Sequence, residues 1–153
     1  MGRNELPKDF KDFLRLLNST GVEYMVVGGY AVGYYGYVRF TADIDFFIAA
    51  DVQNAQRIVE ALRSFGFPSG VPASTFTEAR KVIRMGVSPV RIEILTSISG
   101  VDFKDAYQRR LVADIEGIPV NLIGLADLKA NKRASGRLKD LADLEKLEQL
   151  PKK

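Results

Sequence analysis

The sequence predicts an α+β fold: a mixed β-sheet with helices packed on it and a helical C-terminus. Three observations carry this. Helix and strand patterns alternate through the first half of the chain, strand pairs around short turns follow, and everything from Leu125 onward reads as polar helix. Strands joined by short turns run antiparallel, which argues against a purely parallel, doubly wound sheet. The order of the strands is not legible.

Each element has a local reason. Leu6-Pro7 opens a helix whose apolar side is Phe10, Phe13, Leu14, Leu16 and Leu17, and Asn18-Ser19-Thr20-Gly21 ends it. Tyr24 to Val27 is a short buried strand stopped by Gly28-Gly29, and Tyr30 to Tyr37 a short helix. Ile44 to Ala49 is a second buried strand, entered through Asp43. Asp51 caps a helix with Ala55, Ile58, Val59, Leu62 and Phe65 on one face, and Gly66 closes it. Gly66 to Ser74, which holds two prolines and two glycines, is a loop. Val82 to Met85 and Val90 to Leu95 form a strand pair, Phe103 to Arg110 a short helix, and Leu111–Ile115 with Ile118–Leu122 a hairpin about Glu116-Gly117. Gly136 divides the C-terminal helical region in two.

Length and composition bound the chemistry. At 153 residues and 17.0 kDa the chain fits one domain, residues 1–153, with a core at about 22–123 and a helical segment at about 124–150. It has no cysteine and no histidine. That excludes disulfides, thiolate or imidazole metal sites, and His-based catalytic triads. A metal here must sit on oxygen ligands, which favours Mg²⁺, Mn²⁺ or Ca²⁺. The net charge of +3 falls at one end: Asp127 to Lys153 carries eight basic and five acidic residues. This points either to an anionic partner or to a solvated helix face. No apolar run reaches the ~20 residues of a membrane span, and the first ten residues do not resemble a signal peptide, so a cytoplasmic protein is expected.

The Walker and dinucleotide-binding glycine patterns are absent. What remains is a set of carboxylates. Of three acid pairs spaced two apart, Asp114/Glu116 falls at a hairpin turn, and Asp143/Glu145 lies in a helix where i and i+2 do not share a face. Asp43 and Asp45 instead open an apolar strand and share one face, while Ile44, Phe46 and Ile48 point the other way. Two like charges beside apolar neighbours are costly unless a cation neutralises them. A divalent metal does this; an exposed strand entry with a ladder-capping acid is the alternative.

Two further elements surround this pair. Val26-Val27-Gly28-Gly29 ends a strand where a helix begins, a turn that either admits a phosphate to backbone N–H groups or is simply tight. Glu93 sits mid-strand in Val90-Arg91-Ile92-Glu93-Ile94-Leu95, sharing a face with Arg91 and Leu95. If that strand neighbours the one bearing Asp43 and Asp45, three carboxylates converge; otherwise Glu93 pairs with Arg91. Tyr30, Tyr34 and Tyr37 make one helical stripe and Gly29, Gly33 and Gly36 another, suiting close packing on the sheet or, for the tyrosines, stacking on a base. Leu138, Leu141, Leu144 and Leu147 pack internally or make a dimer face.

Together, Gly28-Gly29, Asp43-Ile44-Asp45 fourteen residues later and an acid on a later strand resemble the nucleotidyltransferase superfamily with the polymerase β-like fold. Residues 27–48, with Arg39 and Thr41 before the acids, resemble the small branch related to AbiEii toxins, as do Lys132, Gly136, Arg137, Lys139, Asp140 and Asp143 in the tail. The resemblance spans about Val26 to Leu147 and departs in having Glu93 where aspartate is usual. It implies a minimal nucleotidyltransferase fold with C-terminal helices. It also implies a Mg²⁺ (or Mn²⁺) two-ion site on Asp43, Asp45 and Glu93, with ions roughly 3.5–4 Å apart. Those three residues would be catalytic. Gly28, Gly29, Arg39, Thr41, Lys132 and Arg137 would bind the nucleotide.

The implied reaction is in-line attack by an acceptor hydroxyl on the α-phosphate of a nucleoside triphosphate such as ATP, with pyrophosphate leaving. The acceptor, whether RNA, protein or small molecule, is not identified by the sequence. A toxin–antitoxin or phage-defence setting, a partner protein and a homodimer are further implications, and no membrane partner is expected. The readings of Arg39 as a loop ion pair, of Thr41 as a turn-ordering residue, and of Lys132 and Arg137 as partners of Asp140 and Asp143 stay open. So does a second function: a non-catalytic, antitoxin-like binding subunit that keeps the fold.

Overall fold

A computed structural model of the chain describes residues 6–37, 41–67, 71–87 and 90–150. The elements are α1 (Lys8–Ser19), β1 (Tyr24–Val27), α2 (Gly28–Tyr34), β2 (Asp43–Ile48), α3 (Val52–Phe65), β3 (Val82–Val87), β4 (Val90–Leu95), α4 (Phe103–Gln108), β5 (Leu111–Ile115), β6 (Ile118–Leu122), α5 (Leu125–Ser135) and α6 (Leu138–Glu148). The six strands form one sheet in the order β3-β4-β2-β1-β6-β5. β2/β4 and β1/β6 are parallel, and the other three pairs antiparallel. The expected mixed α+β sheet is therefore present, with a strand order that no sequence pattern displayed.

One face of β2 anchors the core. Ile44, Phe46 and Ile48 are all but inaccessible to solvent. Phe13 of α1 meets Phe46 edge-on at 5.5 Å and Phe65 of α3 at 5.2 Å, so α1 and α3 cover this face. On the opposite face Phe47 packs against Phe103 of α4 at 5.1 Å, and β2 continues to Asp45 and Asp43 on that same side. The alternation that hides Phe46 thus also aims the acids.

Caps work as their residue types demand. The Asp51 carboxylate accepts from the Asn54 amide at 2.8 Å, and Gly66 closes α3 at φ 92°. Asn54, itself buried, donates to the carbonyls of Glu23 and Ala49 and accepts from the Glu23 amide, stitching α3 to the ends of β1 and β2. Gly136 ends α5 at φ 66°. The β5–β6 turn places Glu116 and Gly117 at positive φ, and the Gly117 amide donates to Asp114.

Three expectations need correction. The second helix spans Gly28–Tyr34, starting two residues early and stopping before Tyr37, because Gly36 turns at φ 127°. The glycine stripe is consequently not one packed seam: nothing lies within 4 Å of where a Gly33 Cβ would be, and Gly36 is outside the helix. The loop expected over Gly66 to Ser74 gives way at its end to a 3-10 turn, Ala73–Thr77, which buries Phe76. The α6 leucines divide: Leu147 is buried, whereas Leu138 and Leu141 are exposed.

Candidate functional site

A cleft of about 410 Å³ opens where β1, β2, α2, α5 and the start of α6 converge, and Gly28, Gly29, Thr41, Asp43, Asp45, Lys132 and Arg137 all line it. Seven of the nine residues singled out in the sequence thus share one cavity. Glu93 is not among the lining residues but stands beside Asp45, since β2 and β4 pair in register with Asp45 opposite Glu93 and Asp43 opposite Arg91. Arg39 lies outside the described residues. Leu95, Ile98, Ser99, Asn131, Ser135, Lys139 and Asp140 complete the lining. A smaller hollow of about 170 Å³ beside Phe65, Phe67 and Met85 contains one carboxylate, Asp9, among its described lining and offers no comparable chemistry.

The glycines are required by close approach. Gly28 turns at φ +70°, and a Cβ there would overlap the Asp45 Oδ2; a Cβ at Gly29 would come within 2.8 Å of the Thr41 hydroxyl oxygen. The Thr41 hydroxyl donates to the Asp43 carbonyl at 3.1 Å and so orders the entry to β2. α2 starts without a side-chain cap on its first amides.

The acids have unequal partners. Arg91 grips Asp43 with a two-pronged pair, Nε to Oδ1 at 2.9 Å and Nη2 to Oδ2 at 3.1 Å. Glu93 accepts from the Arg84 Nε at 2.7 Å, with the Arg91 Nε 3.9 Å away. Asp45 is half-buried, and its Oδ1, shut off from solvent, has no hydrogen-bond partner among the described residues. Burial first, then the charge of Glu93 and a carboxyl–carboxylate hydrogen bond with it, push Asp45 up to about 7.

Across the cleft the cations are already engaged. Lys132 is buried between Asp140 at 3.3 Å and Asp143 at 3.0 Å. Arg137 Nε and the Ser135 hydroxyl both donate to Asp140 Oδ2, at 2.6 and 2.8 Å. Burial works to raise Asp140, but the hydrogen bonds from Arg137 and Ser135 and the charge of Lys132 outweigh it and hold it at about 2. Lys132 and Arg137 still project charge toward Asp45.

The donor types suit a hard divalent cation: oxygen ligands, with one buried carboxylate oxygen free. The arrangement is less complete than the donor types. Among the described residues no group of three or more acidic side chains is disposed to hold a metal, and arginines pair with Asp43 and Glu93.

Sequence reasoning missed Arg91 and Arg84 as partners of the acids, together with the neutral wall of Leu95, Ile98, Ser99 and Asn131. Arg91 was visible as sharing a face with Glu93. Arg84 was not, because its partnership arises from the β3–β4 register that sets it opposite Glu93.

Comparison with known proteins accords with this geometry. The model of the family "Nucleotidyl transferase of unknown function (DUF2204)" matches residues 7–153, and the chain belongs to that family. Two solved structures share the fold. One is the lincosamide antibiotic adenylyltransferase LnuA in its lincomycin-bound form, with 15% identity, 97% of this chain and 99% of that one covered, and a TM-score of 0.57. The other is an antigenic nucleotidyltransferase-like protein from Paracoccidioides brasiliensis, with 21% identity, 91% and 74% covered, and a TM-score of 0.55. No curated protein sequence matches the chain. The superfamily reading therefore holds at the level of fold and family, and nothing in these matches singles out the AbiEii-related branch.

Proposed function

We propose that this member of a nucleotidyl transferase family moves a nucleoside monophosphate from a nucleoside triphosphate to a hydroxyl acceptor, using Asp43, Asp45 and Glu93. The observation that supports this best is Asp45: a half-buried carboxylate with one buried oxygen unpartnered among the described residues, set against a glycine turn in a cleft that also presents Lys132 and Arg137. Such a group is costly to keep unless a ligand uses it.

In this reading Asp43 and Asp45, with Glu93 beside them, hold Mg²⁺ or Mn²⁺, which when bound supplies charge neutralisation at phosphate oxygens and lowers the pKa of a nearby hydroxyl. The chain's own residues do the rest. Gly28 and Gly29 leave room for phosphates beside the uncapped start of α2. Lys132 and Arg137, paired with Asp140 and, for Lys132, Asp143, line the other side and attract the triphosphate. The Glu93 carboxylate takes the acceptor proton in this reading once Arg84, its partner at 2.7 Å, moves aside. Thr41 holds the β2 entry in place. Leu95, Ile98, Ser99 and Asn131 offer a largely uncharged wall for the acceptor, which suits a neutral, hydroxyl-bearing molecule. LnuA is a lincosamide antibiotic adenylyltransferase seen with lincomycin bound, and a small-molecule acceptor is the version proposed here in preference to RNA or protein.

One observation favours the second reading, a binding subunit without catalysis: arginines close off Asp43 and Glu93. Melting curves separate the two. With Mg²⁺ and a nucleoside triphosphate at a hundred times its Kd, wild type should gain about 2.7 kcal/mol. Asp45→Asn should lose that gain. Absence of any nucleotide- and metal-dependent shift in wild type rejects the enzyme.

A further inference from the structure

Arg91 and Arg84 carry more information than a pair of surface ion pairs. Their placement is written into the sheet: Arg84 of β3 stands opposite Glu93 of β4, Glu93 opposite Asp45 of β2, and Arg91 opposite Asp43. Acids and arginines therefore form two adjoining rows across neighbouring strands. In one, Arg84 faces Glu93 and Asp45 stands last, with no cation of its own. In the other, Arg91 faces Asp43 and grips both of its oxygens, with Glu93 a more distant 3.9 Å away. The Arg91 side chain keeps 36% of its surface in solvent, so it can swing outward without opening the core. The cleft cations cannot substitute for it, since Lys132 and Arg137 are held by Asp140 and Asp143.

We propose that Arg91 is a built-in counter-cation of the acid site: it holds Asp43 until a divalent cation takes its place, and thereby sets how tightly the cleft takes up metal. Arg84 does the same for Glu93 with a single contact. This rests on the reading of Asp43 and Asp45 as metal-holding acids. The physical argument is competition. A metal approaching the free Asp45 Oδ1 gains Asp43 only by displacing a guanidinium that already satisfies both of its oxygens. An ion pair this exposed is weak enough to be displaced, yet it costs affinity in proportion to its strength. Arg91 is accordingly a positioning residue, acting through Asp43. It also makes uptake of metal together with a triphosphate more favourable than uptake of metal alone, because the phosphates add ligands that Arg91 does not contest.

The test is Mn²⁺ binding to the full chain without nucleotide, by calorimetry and by the electron paramagnetic resonance signal of free Mn²⁺, for wild type, Arg91→Gln, Arg91→Lys and Arg109→Gln. Arg91→Gln should bind Mn²⁺ about fivefold more tightly than wild type, with Arg91→Lys in between. Arg109→Gln removes an equally two-pronged grip, on Asp127 outside the cleft lining, and should leave Mn²⁺ affinity unchanged. Equal or weaker binding by Arg91→Gln overturns the proposal, because an arginine that merely orients Asp43 gives that result. If Arg91→Gln does not fold, Arg91→Lys carries the same comparison. Melting with Mg²⁺ and triphosphate on the same samples separates the two levels. Nucleotide stabilisation with unchanged Mn²⁺ affinity defeats the counter-cation alone, and no uptake of metal or nucleotide by any chain defeats it together with the enzyme reading.

Discussion

Two clusters of charge face each other across the cleft, and they are solved in opposite ways. In the α5–α6 cluster, buried Lys132 lies between Asp140 and Asp143, while Arg137 and Ser135 donate to Asp140; its acids are matched by cations and donors, and Asp140 is held at about 2. On the sheet, Asp45 is half-buried with Glu93 beside it and its buried Oδ1 unpartnered among the described residues, and it rises to about 7. The first cluster is finished by the fold. The second is left unfinished, with one oxygen of a cleft-lining acid unpartnered among the described residues. Buried charge that is fully paired ties helices together, whereas buried charge that is not paired is a reservoir that a cation can draw on.

Breaking the finished cluster should have the largest effect. Lys132→Met leaves Asp140 and Asp143 buried without their shared cation and should destabilise the protein by about 3–5 kcal/mol in urea unfolding. A loss below about 1 kcal/mol would mean that the pairs are not desolvated as the structure has them.

The unfinished cluster should respond in the opposite direction. Asp45 has a folded-state pKa of about 7 against an ordinary value of 3.8. Below pH 4 both states are protonated and the stability is full. As pH rises toward 7 the unfolded chain ionises and the folded one resists, so stability falls. In chelator, Asp45→Asn should therefore melt above wild type at pH 8, by on the order of 3 kcal/mol, with the advantage shrinking toward pH 4. Asp140 acts with the opposite sign: its depressed value adds stability that is lost only as pH falls below about 4 toward 2. A pH-independent gap between Asp45→Asn and wild type would show that Asp45 is neither as buried nor as crowded as described.

A smaller effect sharpens the boundary between the clusters. Gly28→Ala must hold φ +70° and push its methyl into the Asp45 carboxylate. It should cost about 2 kcal/mol and abolish nucleotide-dependent stabilisation, read from the same melting curves. Full retention of nucleotide binding would detach the glycine turn from the site.

Much of this was legible in the chain itself. Asp43 and Asp45 stood out because two acids opened an apolar strand, and the period of that strand assigned them to the face opposite Phe46. The helix caps at Asp51, Gly66 and Gly136 followed from residue type. The helix after Gly28 was misjudged at both ends because its length is set by where Gly36 turns and by Asp45 crowding Gly28, neither of which has a local signature. Lys132 was legible as a charged residue near the tail motif, but that it is buried between two aspartates depends on how α6 folds back on α5.

By itself the sequence determined the element types, the mixed character of the sheet, the exclusion of thiol and imidazole chemistry, and the acids that share a face. These rest on covalent composition and on periods of 2 and 3.6 residues, which act over a few neighbours. Only the tertiary structure decided which charges meet. Strand order set β4 beside β2, register set Arg91 on Asp43 and Arg84 on Glu93, and the return of α6 gave Lys132 its two aspartates. Electrostatics depends on distance in space and on solvent exclusion, and neither exists until the chain has folded.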